Sequence, residues 1–114
     1  MTDCLFCAIA AGDIPADVVH ADDEVVAFRD LNPQAPVHVL VIPRAHHANA
    51  AALAATDALL AARVLEVAAL VARTEGVADT GYRLVANTGD AAGQSVQHVH
   101  IHVLGGRSLT WPPG

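Results

Sequence analysis

The sequence predicts an α+β domain, an antiparallel sheet with one long helix packed on a face. Three observations carry that expectation. His98, His100 and His102 alternate with Val99, Ile101 and Val103, which is the period of a half-buried strand and not of a helix. Leu60, Val64, Val67 and then Leu70 or Val71 recur at helical spacing, an apolar stripe that a sheet can cover. Short β-rich runs flank that helix, and the order helix, strands, helix, strands points to segregated α and β parts.

Taken in order, Asp3 followed by Cys4 to Ala11 reads as a short N-capped helix, stopped by Gly12 and Pro15. Val18 to His20 and Val25 to Arg29 are β-rich runs around the turn-like Ala21-Asp22-Asp23-Glu24, which makes a hairpin. Asp30 to Pro36 carries two prolines without periodicity and is a loop. Val37 to Ile42 follows as a buried strand stopped by Pro43. After a run of alanines, Thr56 or Asp57 caps a helix reaching about Glu75 and ended by Gly76, with Arg63, Glu66, Arg73 and Glu75 expected on a solvated face. Tyr82 to Asn87 is a strand, Thr88 to Ser95 a Gly-rich loop, and Val96 to Leu104 the strand that bears the histidines.

At 114 residues the chain is expected to be one domain, small enough that association would help it. Only 4% of residues are aromatic, so the core must come from Val, Leu and Ile. No apolar run reaches the roughly 18 residues of a spanning helix, and no basic-then-apolar leader opens the sequence, so a cytoplasmic protein without membrane contact is expected. A formal charge of −6, with six basic residues spread thinly, argues against nucleic-acid polymers as partners and for a small ligand. Cys4-x-x-Cys7 is not expected to be a structural disulfide in a reducing compartment, which leaves metal or redox roles.

Three imidazoles on one strand face, roughly 6.6 Å apart, add nothing to packing and would repel on acidification. Neutral imidazole serves well as a metal ligand or as a nucleophile, and the row points to both. Gly93-Gln94-Ser95 just upstream offers backbone N–H groups and a hydroxyl, the parts of a phosphate cradle.

His98-Val99-His100-Ile101-His102-Val103-Leu104 resembles the signature of the histidine triad superfamily, His-x-His-x-His followed by two apolar residues. Asp30 to Pro43, Tyr82 to Gly89 and the tail from Gly105-Gly106-Arg107 to Trp111-Pro112-Pro113-Gly114 are similar to the Hint branch of that superfamily, the histidine triad nucleotide-binding proteins. The resemblance implies a single histidine triad domain over residues 1–114, with a five-stranded antiparallel sheet paired to its copy in a two-fold homodimer. It implies a hydrolase that cleaves the P–N bond of purine nucleoside 5′-phosphoramidates. The rivals are a dinucleoside polyphosphate hydrolase of the Fhit-like branch, which the Trp-Pro-Pro-Gly ending disfavours, and a nucleotide-binding regulatory protein.

By the same resemblance His100 is the nucleophile that forms a nucleotidyl-histidine. His102 contacts phosphate oxygens or moves a proton, and His38 orients the triad. Asp30 would accept the ribose hydroxyls between Phe28 and Leu31 as apolar walls. Asn87, Gly93, Gln94 and Ser95 would supply preorganised donors on the phosphate side. Trp111 would pack across the dimer beside the leaving group. Cys4 and Cys7 are half of a structural zinc site, with no catalytic metal expected; the resemblance adds His98 and His46. His47 adjoins His46, so the ligand register is open at this point.

Overall fold

A computed structural model describes residues 4–114. The elements run α1 (Leu5–Ala10), β1 (Val18–Ala21), β2 (Val25–Arg29), β3 (Val37–Pro43), α2 (Ala50–Thr56), α3 (Ala58–Thr74), β4 (Tyr82–Val85), a 3-10 turn (Asp90–Ala92) and β5 (Ile101–Gly105). All strand pairs are antiparallel, in the order β1-β2-β3-β5-β4. This is the α+β class the sequence predicts, with five strands.

The strand period of two splits the side chains between two cores. Val25, Ala27, Val39, Val41, Val99, Ile101 and Val103 face α3, where Leu60, Val64, Val67 and Val71 meet them. Each of these α3 side chains, removed from water, contributes about 1.5–3 kcal/mol on the transfer scale. Val26, Phe28, Leu40 and Ile42 point the other way and are covered by Phe6 and Ala10 of α1. Since α1 has only 6 residues, it covers part of that second face, and the imidazole row lies beside it.

Several boundaries differ from expectation for identifiable reasons. Cys4 is the N-cap of α1, its sulfur accepting from the Cys7 N–H; the expected cap Asp3 lies outside the described residues. The alanine run forms α2, capped by Asn49, because alanine needs no amphipathic pattern to be helical. Asp57, and not Thr56, caps α3 through the Leu60 N–H at 3.1 Å. β4 ends at Val85, short of Asn87.

The histidine-bearing strand begins only at Ile101, not at Val96. In the β3–β5 register, Val41 faces Ile101, so Pro43 would face Val99, and proline has no N–H to extend the ladder. The Val99 N–H instead bonds the carbonyl of His47 at 2.7 Å. The expectation of a solvated charged face on α3 also needs correction. Glu66 and Arg73 are exposed, but Arg63 bonds Asp22 at 2.8 Å and Glu75 pairs with Arg29, tying the helix to the β1–β2 hairpin.

Candidate active site and metal centre

The imidazole alternation survives the short strand. His98 and His100 are buried, and His102 is half-buried at the β5 position opposite Leu40. Phe6 of α1 packs edge-on against His98 and His100, with ring centroids 6.1 and 5.0 Å apart.

Each ring is held by a partner that determines where its proton sits. His100 Nδ1 lies 2.8 Å from the His98 carbonyl oxygen. That oxygen can only accept, so Nδ1 carries a proton, and in the neutral ring Nε2 keeps its lone pair. His98 Nε2 lies 2.8 Å from the Pro43 carbonyl oxygen, so its Nδ1 is the unprotonated atom.

The third ring is reached through His38. The Gln34 N–H donates to His38 Nδ1 at 3.0 Å, which puts the His38 proton on Nε2. His38 Nε2 then donates to His102 Nδ1 at 2.9 Å, and the His102 proton sits on Nε2. Asp30 Oδ2 lies 3.5 Å from His38 Nε2. Burial pushes His38 below the ordinary histidine range against the pull of Asp30. Burial, reinforced by His100 and His38, pushes His102 down to about 4. Both rings are neutral at physiological pH. The arrangement presents one lone pair, on His100, beside one N–H donor, on His102.

These imidazoles floor a cleft of about 290 Å³. Among the expected residues, Phe28, Asp30, Leu31, Ser95, His100 and His102 line it. Leu31 is 99% exposed, so it stands at the mouth and not as a packed wall. Sequence reasoning misses Leu5, Phe6, Ile9 and Ile14, which form its apolar side; the spacing of Leu5, Phe6 and Ile9 on a short helix is the signal that could have found them.

Other expected residues stand outside that lining. Gln94 is buried and its side chain braces the loop, accepting from Gly89 N–H and donating to the carbonyls of Ala48 and Val96. The amides of Gly93 and Gln94 donate to the carbonyls of Asp90 and Gly89, so the cradle expected from the Gly93-Gln94-Ser95 backbone has two of its donors engaged in the turn. Asn87 lies two residues beyond Val85, which faces His102 in the β4–β5 register. Trp111 is 83% exposed on the tail.

Cys4, Cys7, His46 and His98 converge, with all four ligand atoms within 4.8 Å of one another. His98 Nδ1 lies 3.3 Å from Cys4 Sγ and 3.5 Å from Cys7 Sγ, and His46 Nδ1 lies 3.4 Å from Cys7 Sγ. Tetrahedral zinc, with bonds of about 2.0 Å to nitrogen and 2.3 Å to sulfur, sets nitrogen and sulfur roughly 3.5 Å apart. The His98 lone pair faces the cluster because Pro43 takes the other nitrogen, which is the usual second support of a metal-bound imidazole. The donor set therefore fits a four-coordinate metal, with His46 and not His47 in the cluster.

Comparison with known proteins gives the chain a family and a fold. The HIT domain family matches residues 11–109. The chain is 44% identical to the purine nucleoside phosphoramidase of Escherichia coli, over 94% of this chain and 90% of that one. It is also 44% identical to a 14 kDa zinc-binding protein of Brassica juncea, over 98% of this chain and 100% of that one. A HIT family hydrolase from Legionella pneumophila, solved by crystallography, superposes with a TM-score of 0.95 at 50% identity, covering 98% of this chain and 100% of the other.

Proposed function

Because the chain belongs to the HIT domain family, we propose that it hydrolyses purine nucleoside 5′-phosphoramidates to a nucleoside monophosphate and an amine. The observation that carries this reading is the His98–His100 hydrogen bond, which leaves His100 Nε2 unprotonated at the floor of the cleft. The similarity to the Escherichia coli phosphoramidase supports the substrate class.

The nucleoside lies along the apolar side of the cleft, over Phe28 and with Leu31 at the mouth, with Asp30 accepting from the ribose hydroxyls. His100 Nε2 attacks phosphorus as the P–N bond breaks, and the departing nitrogen takes up a proton from solvent at the mouth of the cleft. Charge left on His100 is stabilised by the Nδ1–H bond to the His98 carbonyl. The His102 Nε2–H donates to a phosphoryl oxygen and the Ser95 hydroxyl lies beside the leaving group, donors that meet developing charge without adding full charges. Water then cleaves the nucleotidyl-His100 bond. Its hydroxyl goes to phosphorus and its proton replaces the one taken by the amine, so one water is consumed. The Asn87 amide adds a further donor on the phosphate side, and Gly93 and Gln94 shape the loop that brings Ser95 to this place.

We propose zinc as the occupant of the Cys4–Cys7–His46–His98 cluster. It would act as a structural cross-link between α1, the segment after β3 and the triad segment, and the reaction itself uses imidazoles. We also propose that the chain works as a homodimer in a cytoplasmic setting, with Trp111 packed near the leaving-group side of the partner's cleft.

The deciding experiment is a panel of adenosine and guanosine phosphoramidates, diadenosine polyphosphates and plain nucleotides, assayed with the wild type and with His100→Ala. Phosphoramidates should turn over fastest, with a nucleotide-sized mass added transiently to the wild-type chain alone. Preferred cleavage of the polyphosphates would move the assignment to the rival branch, and no turnover of any member would leave a nucleotide-binding role.

A further inference from the structure

We propose that Arg107 is a positioning residue for His102, acting through the Gln34 main chain and His38. The proposal rests on the phosphoramidase reading and adds the device that keeps its N–H donor in place. Three hydrogen bonds connect the tail to the cleft. Arg107 Nε donates to the Gln34 carbonyl at 3.0 Å, the Gln34 N–H donates to His38 Nδ1 at 3.0 Å, and His38 Nε2 donates to His102 Nδ1 at 2.9 Å.

The turn between Asp30 and Val37 has few amides to offer, since Pro33 and Pro36 carry none. The Asn32 amide is taken by Asp30 Oδ1 at 2.8 Å. Gln34 is the residue whose N–H reaches His38, and its side chain closes the turn by donating to the Asn32 carbonyl at 3.0 Å. Its main chain is then held on both sides of Cα, the N–H by His38 and the carbonyl by Arg107. The tail is seated close enough for this because Gly106, at φ +89°, lies against Pro36; a Cβ there would stand 2.9 Å from the Pro36 Cβ. Arg107 Nη1 also bonds the Ser108 carbonyl at 3.0 Å, which fixes the direction of the guanidinium.

The Gln34 N–H decides the chemistry of the cluster it touches. Asp30, His38 and His102 bring their ligating atoms within 4.8 Å of one another, the makings of a two-histidine, one-carboxylate cation site. A cation there needs lone pairs on both His38 Nε2 and His102 Nδ1. With His38 Nδ1 accepting from Gln34, the His38 proton stays on Nε2, and the pair remains a hydrogen bond with the His102 proton directed to Nε2. If the turn loosens, His38 can carry its proton on Nδ1 instead. The two facing nitrogens then both present lone pairs, and His102 loses the partner that keeps its proton on Nε2.

The test uses the full-length chain as wild type, Arg107→Met and Arg107→Lys, with ring ¹⁵N shifts read by long-range ¹H–¹⁵N NMR at neutral pH. Steady-state kinetics on adenosine 5′-monophosphate amide and the melting temperature are measured alongside. The wild type should show His38 and His102 as Nε2–H tautomers. Arg107→Met should bring the Nδ1–H form into His38 and lower kcat about tenfold, with KM within about twofold and an unchanged melting temperature. Arg107→Lys should recover part of both readouts. Wild-type tautomers in a folded Arg107→Met chain would overturn the proposal whatever happens to kcat. The tautomer measurement needs no turnover, so failure of the phosphoramidase reading is seen separately, as absence of wild-type activity on the amide.

Discussion

His100 and His98 are joined by a 2.8 Å hydrogen bond from the Nδ1–H of the first to the main-chain carbonyl of the second, so the residue that supports the proposed nucleophile also points its own ring at the cysteine cluster. Removing the attacking atom should remove chemistry and not ground-state contacts. His100→Ala is expected to lower kcat on a nucleoside phosphoramidate by several orders of magnitude, with product-nucleotide affinity within about fivefold. Stopped-flow or single-turnover kinetics together with calorimetric nucleotide binding checks it. Turnover within about tenfold of wild type would remove His100 from the role of nucleophile.

Metal content should track the two cysteines. Elemental analysis of protein purified without chelator should give about one zinc per chain, and Cys4→Ser should lower both zinc content and melting temperature. The Cys4 sulfur also accepts from the Cys7 N–H as the cap of α1, a bond the serine hydroxyl can keep, so the loss of stability reports the metal and not the cap. Activity per folded molecule should change less than stability. Zinc-free protein with an unchanged melting temperature would refute a structural metal.

Asp22 is the joint between the hairpin and α3. Its carboxylate accepts from the amides of Glu24 and Val25 at 2.8 and 2.9 Å, and pairs with His20 and Arg63, each at 2.8 Å. Burial works against its charge, but the bonds to His20, the two amides and Arg63 win and hold it well below the usual carboxylate range. Asp22→Ala should cost about 1–3 kcal/mol in chemical denaturation, since it strips partners from two turn amides. Arg63→Ala should cost less. Equal losses from the two would mean that the ion pair, and not the turn, carries the contribution.

Acid should destabilise the fold before carboxylates titrate. His38 and His102 have folded-state values below the ordinary histidine value of about 6.5, His102 at about 4. Below about 6.5 the unfolded chain takes up protons that the folded rings refuse, so their contribution is full above that pH and is lost as pH falls toward about 4. Denaturation midpoints should therefore fall through this window, and more shallowly in His102→Asn. A flat wild-type profile between these limits would show that the rings charge freely in the folded chain.

The local patterns are legible in the order of the residues. The histidine alternation names the two faces of the segment from Val99 to Val103, and the spacing of Leu60, Val64, Val67 and Val71 names the buried stripe of α3, because strand and helix periods are written into neighbouring residues. Cys4-x-x-Cys7 announces two of the four donors of the Cys4–Cys7–His46–His98 cluster for the same reason, since they stand at the cap and in the first turn of one short helix.

The features that escape the sequence depend on partners far along the chain. α2 is invisible there because alanine carries no face, and the triad strand reads too long because the proline that stops it sits on β3. The choice of His46 over His47 depends on the fold that brings Cys7 within 3.4 Å of His46. The His38–His102 bond spans 64 positions, and the Gln34 amide that orients it leaves no mark in the sequence because it is main chain. Periodicity determined which side chains share a face. Only the tertiary structure decided which nitrogen of each imidazole carries the proton, because a tautomer is set by the donor or acceptor placed opposite it, and those groups come from elements the chain assembles only on folding.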